Sequence, residues 1–295
     1  MTIHDVIEGL AEQNYIAGMD IGIAVAGAIN QNIPLLLEGD PGQGKTMCAK
    51  APAQMRGLPL LRVQFYEGLS YDKILYDYDY QKQLLTIEAM KSALEQNMKK
   101  KSIPEAQEIV KQIDFYGEDF LIKRPIAKAF DGTQRCVLLL DEIDKASEEI
   151  EYTLLEALDE FSITIPQYGT ITCPEDKRPI VFLTSNNYRE LSDALRRRCG
   201  YLYIRRKTVD EMREIILCRA KVDEKVAMGV ATCIDQISRL PVKQAPSIAE
   251  AISWASYLQQ SGEDVSRQTL DQALYMLVKS KHDLDIVKDN ITRII

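Results

Sequence analysis

Apolar residues along this chain fall into two regimes. Up to about residue 206 they gather in short unbroken runs, Pro34–Leu37, Leu60–Phe65, Cys136–Leu140, Ile180–Leu183 and Tyr201–Ile204. Runs of this kind predict strands buried on both faces, as in a parallel sheet. Helical segments lie between them. Ser147 is placed to cap one whose Ile150, Leu154, Leu155, Leu158 and Phe161 fall on or near one face. The alternation predicts an α/β core over 1–206. After Lys207 the strand pattern stops, and Glu211–Ala220, Glu224–Leu240, Ser247–Gln260 and Arg267–Ser280 carry helical spacing. Leu240-Pro241 and Ala245-Pro246-Ser247 break one helix and cap the next. A smaller all-α region over 207–295 is therefore predicted, with Trp254 in its core.

Composition narrows the class. The chain has 295 residues, 46% of them hydrophobic and 27% charged, with 15 Gly and 11 Pro. That excludes collagen-like, low-complexity and largely disordered chains. The formal net charge of -8 opposes broad attraction to phosphate backbones or anionic lipid. The most apolar stretch, Ile21–Leu37, is interrupted by Asn30, Gln31, Asn32 and Pro34, so no membrane span is expected. His4, Asp5 and Glu8 stand where a signal peptide needs basic and then apolar residues, which predicts a cytoplasmic protein. Six cysteines without a C-x-x-C pair, and only His4 and His282, predict reduced thiols and no zinc site.

The chemistry concentrates at the ends of the predicted strands. Gly39-Asp40-Pro41-Gly42-Gln43-Gly44-Lys45-Thr46 fits the pattern G-x-x-x-x-G-K-T, between a strand and a helix that continues through Met47. Glycines let successive backbone amides and the positive helix end surround a phosphate. Lys45 then reaches the β- and γ-phosphates, and the Thr46 hydroxyl holds magnesium. Such a loop alone does not separate hydrolysis from sensing or phosphoryl transfer. Val137-Leu138-Leu139-Leu140-Asp141-Glu142 supplies the second element: a strand delivers Asp141 as a magnesium ligand, with Glu142 beside it to orient an attacking water. Asn186, after the Ile180–Leu183 strand, offers an amide to that water or to the γ-phosphate. The run Arg196-Arg197-Arg198 is either a solvated basic patch or nucleic-acid contact, or a source of guanidinium charge for a neighbouring subunit's nucleotide.

This ordered set, together with the Ala194–Cys199 segment, resembles the AAA+ ATPases over about residues 15–257. The resemblance implies a P-loop NTPase core with a parallel five-stranded sheet and an all-α lid, binding ATP and magnesium. It implies Walker A at Gly39–Thr46, Walker B at Asp141 and Glu142, sensor 1 at Asn186, and an arginine finger at Arg198, with Arg197 in reserve. It also places Asn14, Tyr15 and Ile16 beside the adenine. The family's sensor-2 arginine has no evident counterpart in Lys243–Ile248, where Lys243 is the substitute; a lysine is a flexible point charge rather than a rigid fork.

Within that superfamily, the stretch from Leu154 to Thr172, with a hairpin before the Asn186 strand, resembles the MoxR branch. That implies a homo-oligomer, a hexameric ring by family precedent, which remodels a protein client with chaperone-like action. It further implies a partner carrying a von Willebrand factor A domain and a metalloenzyme or complex as client. A DNA-associated motor or clamp-loader-like ATPase is the alternative, because the Arg196–Cys199 segment also resembles the clamp-loader Ser-Arg-Cys pattern; the acidic balance opposes it. An insert over 67–131 separates the second and third predicted strands. It holds Lys99-Lys100-Lys101, expected in a solvated loop. Tyr71, Tyr76, Tyr78 and Tyr80, with Tyr66 just before them, either face a partner or pore or simply pack.

Overall fold

The computed structural model describes residues 1–97 and 114–295. Among them are nine strands: β1 (Leu35–Glu38), β2 (Leu60–Gln64), β3 (Tyr76–Tyr78), β4 (Leu121–Lys123), β5 (Val137–Asp141), β6 (Ser162–Ile165), β7 (Gly169–Thr172), β8 (Ile180–Ser185) and β9 (Gly200–Tyr203). Five of these form one parallel sheet in the order β2-β5-β8-β1-β9. The predicted strands are these five, shifted by one or two residues at their ends.

The unbroken apolar runs have a direct structural reading. Leu36, Leu138, Leu140, Val181 and Leu183 belong to the core on one face of the sheet. Leu35, Leu37, Val137, Leu139, Ile180 and Phe182 belong to the core on the other. Side chains alternate with period two, so both sets are apolar only because both faces are covered. Each such aliphatic side chain contributes roughly 1.5–3 kcal/mol by leaving water.

The helices of this part are α1 (Ile3–Glu12), α2 (Met19–Gln31), α3 (Lys45–Arg56), α4 (Tyr80–Asn97), α5 (Pro125–Phe130), α6 (Glu148–Glu160) and α7 (Asp193–Arg198); all but α4, whose Tyr80, Leu84, Leu85 and Ile87 are exposed, contribute to the two cores. Ser147 caps α6 as expected, accepting a hydrogen bond from the Ile150 amide. Phe161, also expected on that helix, instead ends it in the left-handed region with φ 50°. A chain of helices follows β9: α8 (Val209–Ala220), α9 (Glu224–Ser238), α10 (Ile248–Ser261), α11 (Arg267–Leu277) and α12 (Lys281–Asp289), then one turn at Ile291–Ile294. These share a separate apolar core centred on Trp254, which is wholly buried. The expected helices stop at Ser280, short of the last two.

The described part of the insert contains a strand pair. β3 and β4 pair antiparallel, Tyr76 opposite Lys123 and Tyr78 opposite Leu121. Tyr78 is buried, meets Tyr76, Tyr80 and Tyr116 edge-on, and its hydroxyl donates to the Pro166 carbonyl at 3.0 Å. That bond ties the insert to the β6–β7 hairpin, which is the hairpin expected before the Asn186 strand. Tyr66 and Tyr80 are exposed, so packing explains Tyr78 and leaves those two at the surface. The Lys99-Lys100-Lys101 triplet and the Tyr71 side chain lie outside the described residues. Among those residues, no helix is long and apolar enough to cross a membrane. All six cysteines are free thiols.

Candidate functional site

Because the sheet is parallel, the C-terminal ends of β1, β5 and β8 open onto one edge, and the loops that leave them meet there. The loop after β1 turns sharply into α3. Gly42 has φ 79° and Gly44 φ 89°, conformations that cost a side chain but not a glycine. Space enforces the choice at Gly42, where a Cβ would stand 2.4 Å from the Cβ of Ser247. Ser247 is the N-cap of α10, whose Ile248 amide points at the Gly42 carbonyl at 3.4 Å. The loop therefore abuts the helical region.

Lys45 opens α3 and is almost buried. Its Nζ donates to the carbonyls of Gly39 at 2.6 Å and Asp40 at 2.8 Å. Burial presses its ammonium below the ordinary lysine value, against the opposing pull of Asp144, Asp40, Asp141 and Glu142. Next in the helix, the Thr46 hydroxyl donates to Asp141 Oδ1 at 3.1 Å. Asp141 ends β5 and is 2% exposed. The same Oδ1 accepts the Thr184 hydroxyl at 2.6 Å.

Glu142 turns away from the strand with φ 60°, a left-handed conformation that a non-glycine residue holds only with support. Thr184 gives that support, since its Oγ1 accepts the Glu142 amide at 2.9 Å. The Glu142 carboxylate accepts Lys145 Nζ at 2.8 Å, a bond that raises the Lys145 ammonium above its usual value. Asn186 follows β8 and is held by its backbone: its amide and that of Tyr188 donate to Asp144 Oδ2 at 3.0 and 2.9 Å. Asp144 is 1% exposed. Its place in the sequence, two residues after Glu142, was the only signal of that positioning role.

These groups surround a cavity of about 460 Å³. Tyr15, Ile16, Pro41, Gly42, Gln43, Gly44, Lys45, Thr46, Met47, Asp141, Glu142 and Asn186 all line it. Gly39 and Asp40 lie just behind, contributing the carbonyls that hold Lys45. Asn14, Tyr15 and Ile16 line it together with Ile215, Ile248 and Ile252 of the helical region, a largely apolar set. The polar groups of the β1, β5 and β8 loops line it as well.

Three further candidate residues lie outside this cavity, two of them the arginines expected to serve a neighbouring subunit. Lys243 is exposed and outside the cavity; its amide and that of Gln244 are taken up by the Asp283 carboxylate. The positive groups that the helical side brings to the cavity are Lys207 and Arg219. Sequence reasoning missed both, because neither sits in a recognisable motif. Arg197 and Arg198 are exposed at the end of α7, away from this cavity. Arg198 makes a 3.2 Å ion pair with Asp159. Arg196 is committed inside the fold, its Nη2 on Glu38 Oε1 at 3.0 Å while the Tyr201 hydroxyl takes Oε2.

Compared with known proteins, residues 34–199 match the family described as "AAA domain (dynein-related subfamily)". No curated protein matches the sequence significantly. Among solved structures, a Thermotoga maritima RuvB mutant is similar with a TM-score of 0.52 and 16% identity, over 99% of this chain and 77% of that one. Another Thermotoga maritima structure, described as the RuvB Holliday junction branch migration motor, has a TM-score of 0.48 and 17% identity, over 96% and 75%. At 16% identity the first of these likenesses concerns the fold alone.

Proposed function

The chain belongs to the AAA domain family, dynein-related subfamily, and on that premise we propose that it is a ring-forming ATPase of MoxR-like type that remodels a protein client. The observation that carries the proposal is the convergence of Lys45, Thr46, Asp141, Glu142 and Asn186 on one cavity, from three separate strand ends. In this reading residues 1–206 form the nucleotide-binding domain and 207–295 the lid.

The adenine enters between Tyr15, Ile16 and Ile215. The triphosphate follows the phosphate loop, where Lys45 exchanges its two carbonyl partners for phosphate oxygens. Burial favours that exchange, because a partly desolvated ammonium gains more from an anion than from two neutral carbonyls. The donor set suits magnesium: Thr46 Oγ1 and Asp141 Oδ1 are hard oxygens 3.1 Å apart at the cavity. Magnesium there supplies charge stabilisation for the oxygens of the transferring phosphoryl group. Glu142, released from Lys145, accepts a hydrogen bond from the attacking water and draws its proton. Asn186, fixed through Asp144, presents its amide toward the γ-phosphate.

Among the described residues, the one guanidinium lining this cavity is that of Arg219, from the helical side; residues 1–206 bring none to it. Arg198, on the surface and held by an ion pair with Asp159 and a 3.3 Å bond to the Ala194 carbonyl, is the candidate to reach a neighbouring subunit's nucleotide, with Arg197 as the second choice. Lys207 and Arg219 take the lid contacts that Lys243 does not reach. The protein partner of MoxR-like type, a von Willebrand factor A domain protein with a metalloenzyme client, and a cytoplasmic setting belong to the same proposal. The net charge of -8 supports a protein client over DNA.

Mixed rings test the core of this reading. Glu142→Gln subunits and Arg198→Ala subunits are each expected to be inactive alone and to regain ATP hydrolysis on mixing. Absence of rescue in verified mixed oligomers would exclude Arg198 as the shared group. Turnover driven by DNA with steep salt dependence would favour the motor reading instead.

A further inference from the structure

Arg62 is unused by the mechanism above, yet it is bonded to one of its central groups. It lies on β2, the sheet's edge strand, beside β5, where Gln64 is in register with Asp141. Its Nε and Nη2 both donate to Asp141 Oδ2, at 2.9 and 2.5 Å, and Nη2 also reaches Gln64 Oε1 at 3.2 Å. With Thr46 and Thr184 on Oδ1, the carboxylate is enclosed by donors from three elements. Its side chain is 3% exposed, whereas that of Arg62 is 40% exposed. Lys45 is not the balancing charge by contact, since its Nζ is spent on the Gly39 and Asp40 carbonyls. Among the described residues, Arg62 is the cation paired with Asp141.

We propose that Arg62 is a built-in counter-ion that competes with the divalent cation for Asp141, so that metal loading of the site loosens the Arg62–Asp141 pair. The inference rests on the cavity being a magnesium-nucleotide site. A buried carboxylate needs a nearby positive charge. When a divalent cation supplies it, the guanidinium becomes a like-charged neighbour and loses most of its attraction to Oδ2. Being two-fifths exposed, it can turn to water and Gln64 with little desolvation to overcome. Arg62 is thus a positioning residue that sets how strongly nucleotide affinity depends on metal.

The test compares ADP affinity in EDTA with ADP affinity in excess magnesium, by calorimetry, for the wild-type protein, Arg62→Met and Arg62→Lys. In Arg62→Met the uncompensated Asp141 repels metal-free ADP and attracts the metal more strongly, so the ratio of the two Kd values rises about fivefold to tenfold. Arg62→Lys keeps a positive charge near Asp141 while losing the paired donors, so its ratio rises less than that of Arg62→Met; an equal rise in both would show that donor geometry and not charge sets the ratio, and would overturn the proposal. An unchanged or smaller ratio in Arg62→Met would mean that the guanidinium only holds Asp141 in place, and would overturn the proposal. Wild-type protein that bound no ADP in either buffer would overturn the site itself and the proposal with it. A measurement on wild-type protein avoids dependence on the folding of Arg62→Met. The Arg62 Nε–H resonance, assigned by its loss in Arg62→Lys, should move with magnesium-ADP but not with ADP in EDTA; equal spectra would refute the competition.

Discussion

Thr184→Val probes how the two adjacent acidic residues are held. The replacement has nearly the same shape, and Thr184 is 1% exposed, so packing changes little and the loss is polar. Two bonds disappear: the 2.6 Å donation to Asp141 and the 2.9 Å acceptance from the Glu142 amide. A hydrogen bond to a charged group is worth about 1.5–3 kcal/mol, and an orphaned buried amide costs about 1–3 kcal/mol more. Since both terms pass through one oxygen and the loop can relax, a net loss of about 3 kcal/mol is expected. With a urea slope of roughly 1–3 kcal/mol/M, the unfolding midpoint should fall by about 1 M or more. Function should suffer further. Glu142 sits at φ 60°, and without its anchor the carboxylate drifts; a displacement near 1 Å reduces turnover on the order of 10²-fold. The assay is urea unfolding followed by circular dichroism, with ATP hydrolysis on the same preparations. Thr184→Ser, which keeps the hydroxyl, should recover both. A Val variant within about 0.5 kcal/mol of wild type, or a Ser variant as damaged as Val, would refute the bridging role.

Other perturbations read other parts of the site. Gly42→Ala forces a Cβ to 2.4 Å from Ser247 at φ 79°; the combined backbone and overpacking cost of about 2–4 kcal/mol should weaken ADP binding at least tenfold by calorimetry, and retained affinity would remove the loop–helix contact as a determinant. Arg219→Ala, at an exposed position, should raise the Kd for ADP several-fold while leaving the unfolding midpoint unchanged; equal affinity would take Arg219 out of the binding site. Burial alone would raise the Glu211 carboxyl, but the Arg205 guanidinium and the Thr208 amide hold it down at about 2. A depressed folded value stabilises above the ordinary carboxylate range and is lost as pH falls through it toward about 2, so Glu211→Gln should lower stability near pH 7 and converge with wild type near pH 2. Urea midpoints across pH check this, and parallel profiles would contradict it.

Much of the site was legible because its parts are local. A phosphate loop needs its glycines, lysine and threonine within eight residues, and a strand that ends in Asp141-Glu142 announces itself by the apolar run before it. Asn186 was legible as the polar residue closing another such run. Lys207, Arg219, Arg62 and Asp144 were not, because what makes each significant is a neighbour far away in the sequence. Lys243 was assigned from its nearness to a helix start, but Asp283 binds that backbone and the side chain is left in solvent.

Periodicity and short motifs thus determined the α/β core, the five strands, most of the following helices and the phosphate-loop motif, since each depends on spacing within a turn, a strand or a loop. Tertiary structure alone decided that β2 and β5 are neighbours and hence that Arg62 meets Asp141. It also decided that Thr184 joins Asp141 to Glu142, and that the helical region closes the cavity with Arg219 rather than Lys243. Strand order and helix docking are fixed by how whole apolar faces cover one another. No local stretch of chain carries that information, because the energy that selects the arrangement comes from surfaces buried jointly by residues distant in sequence.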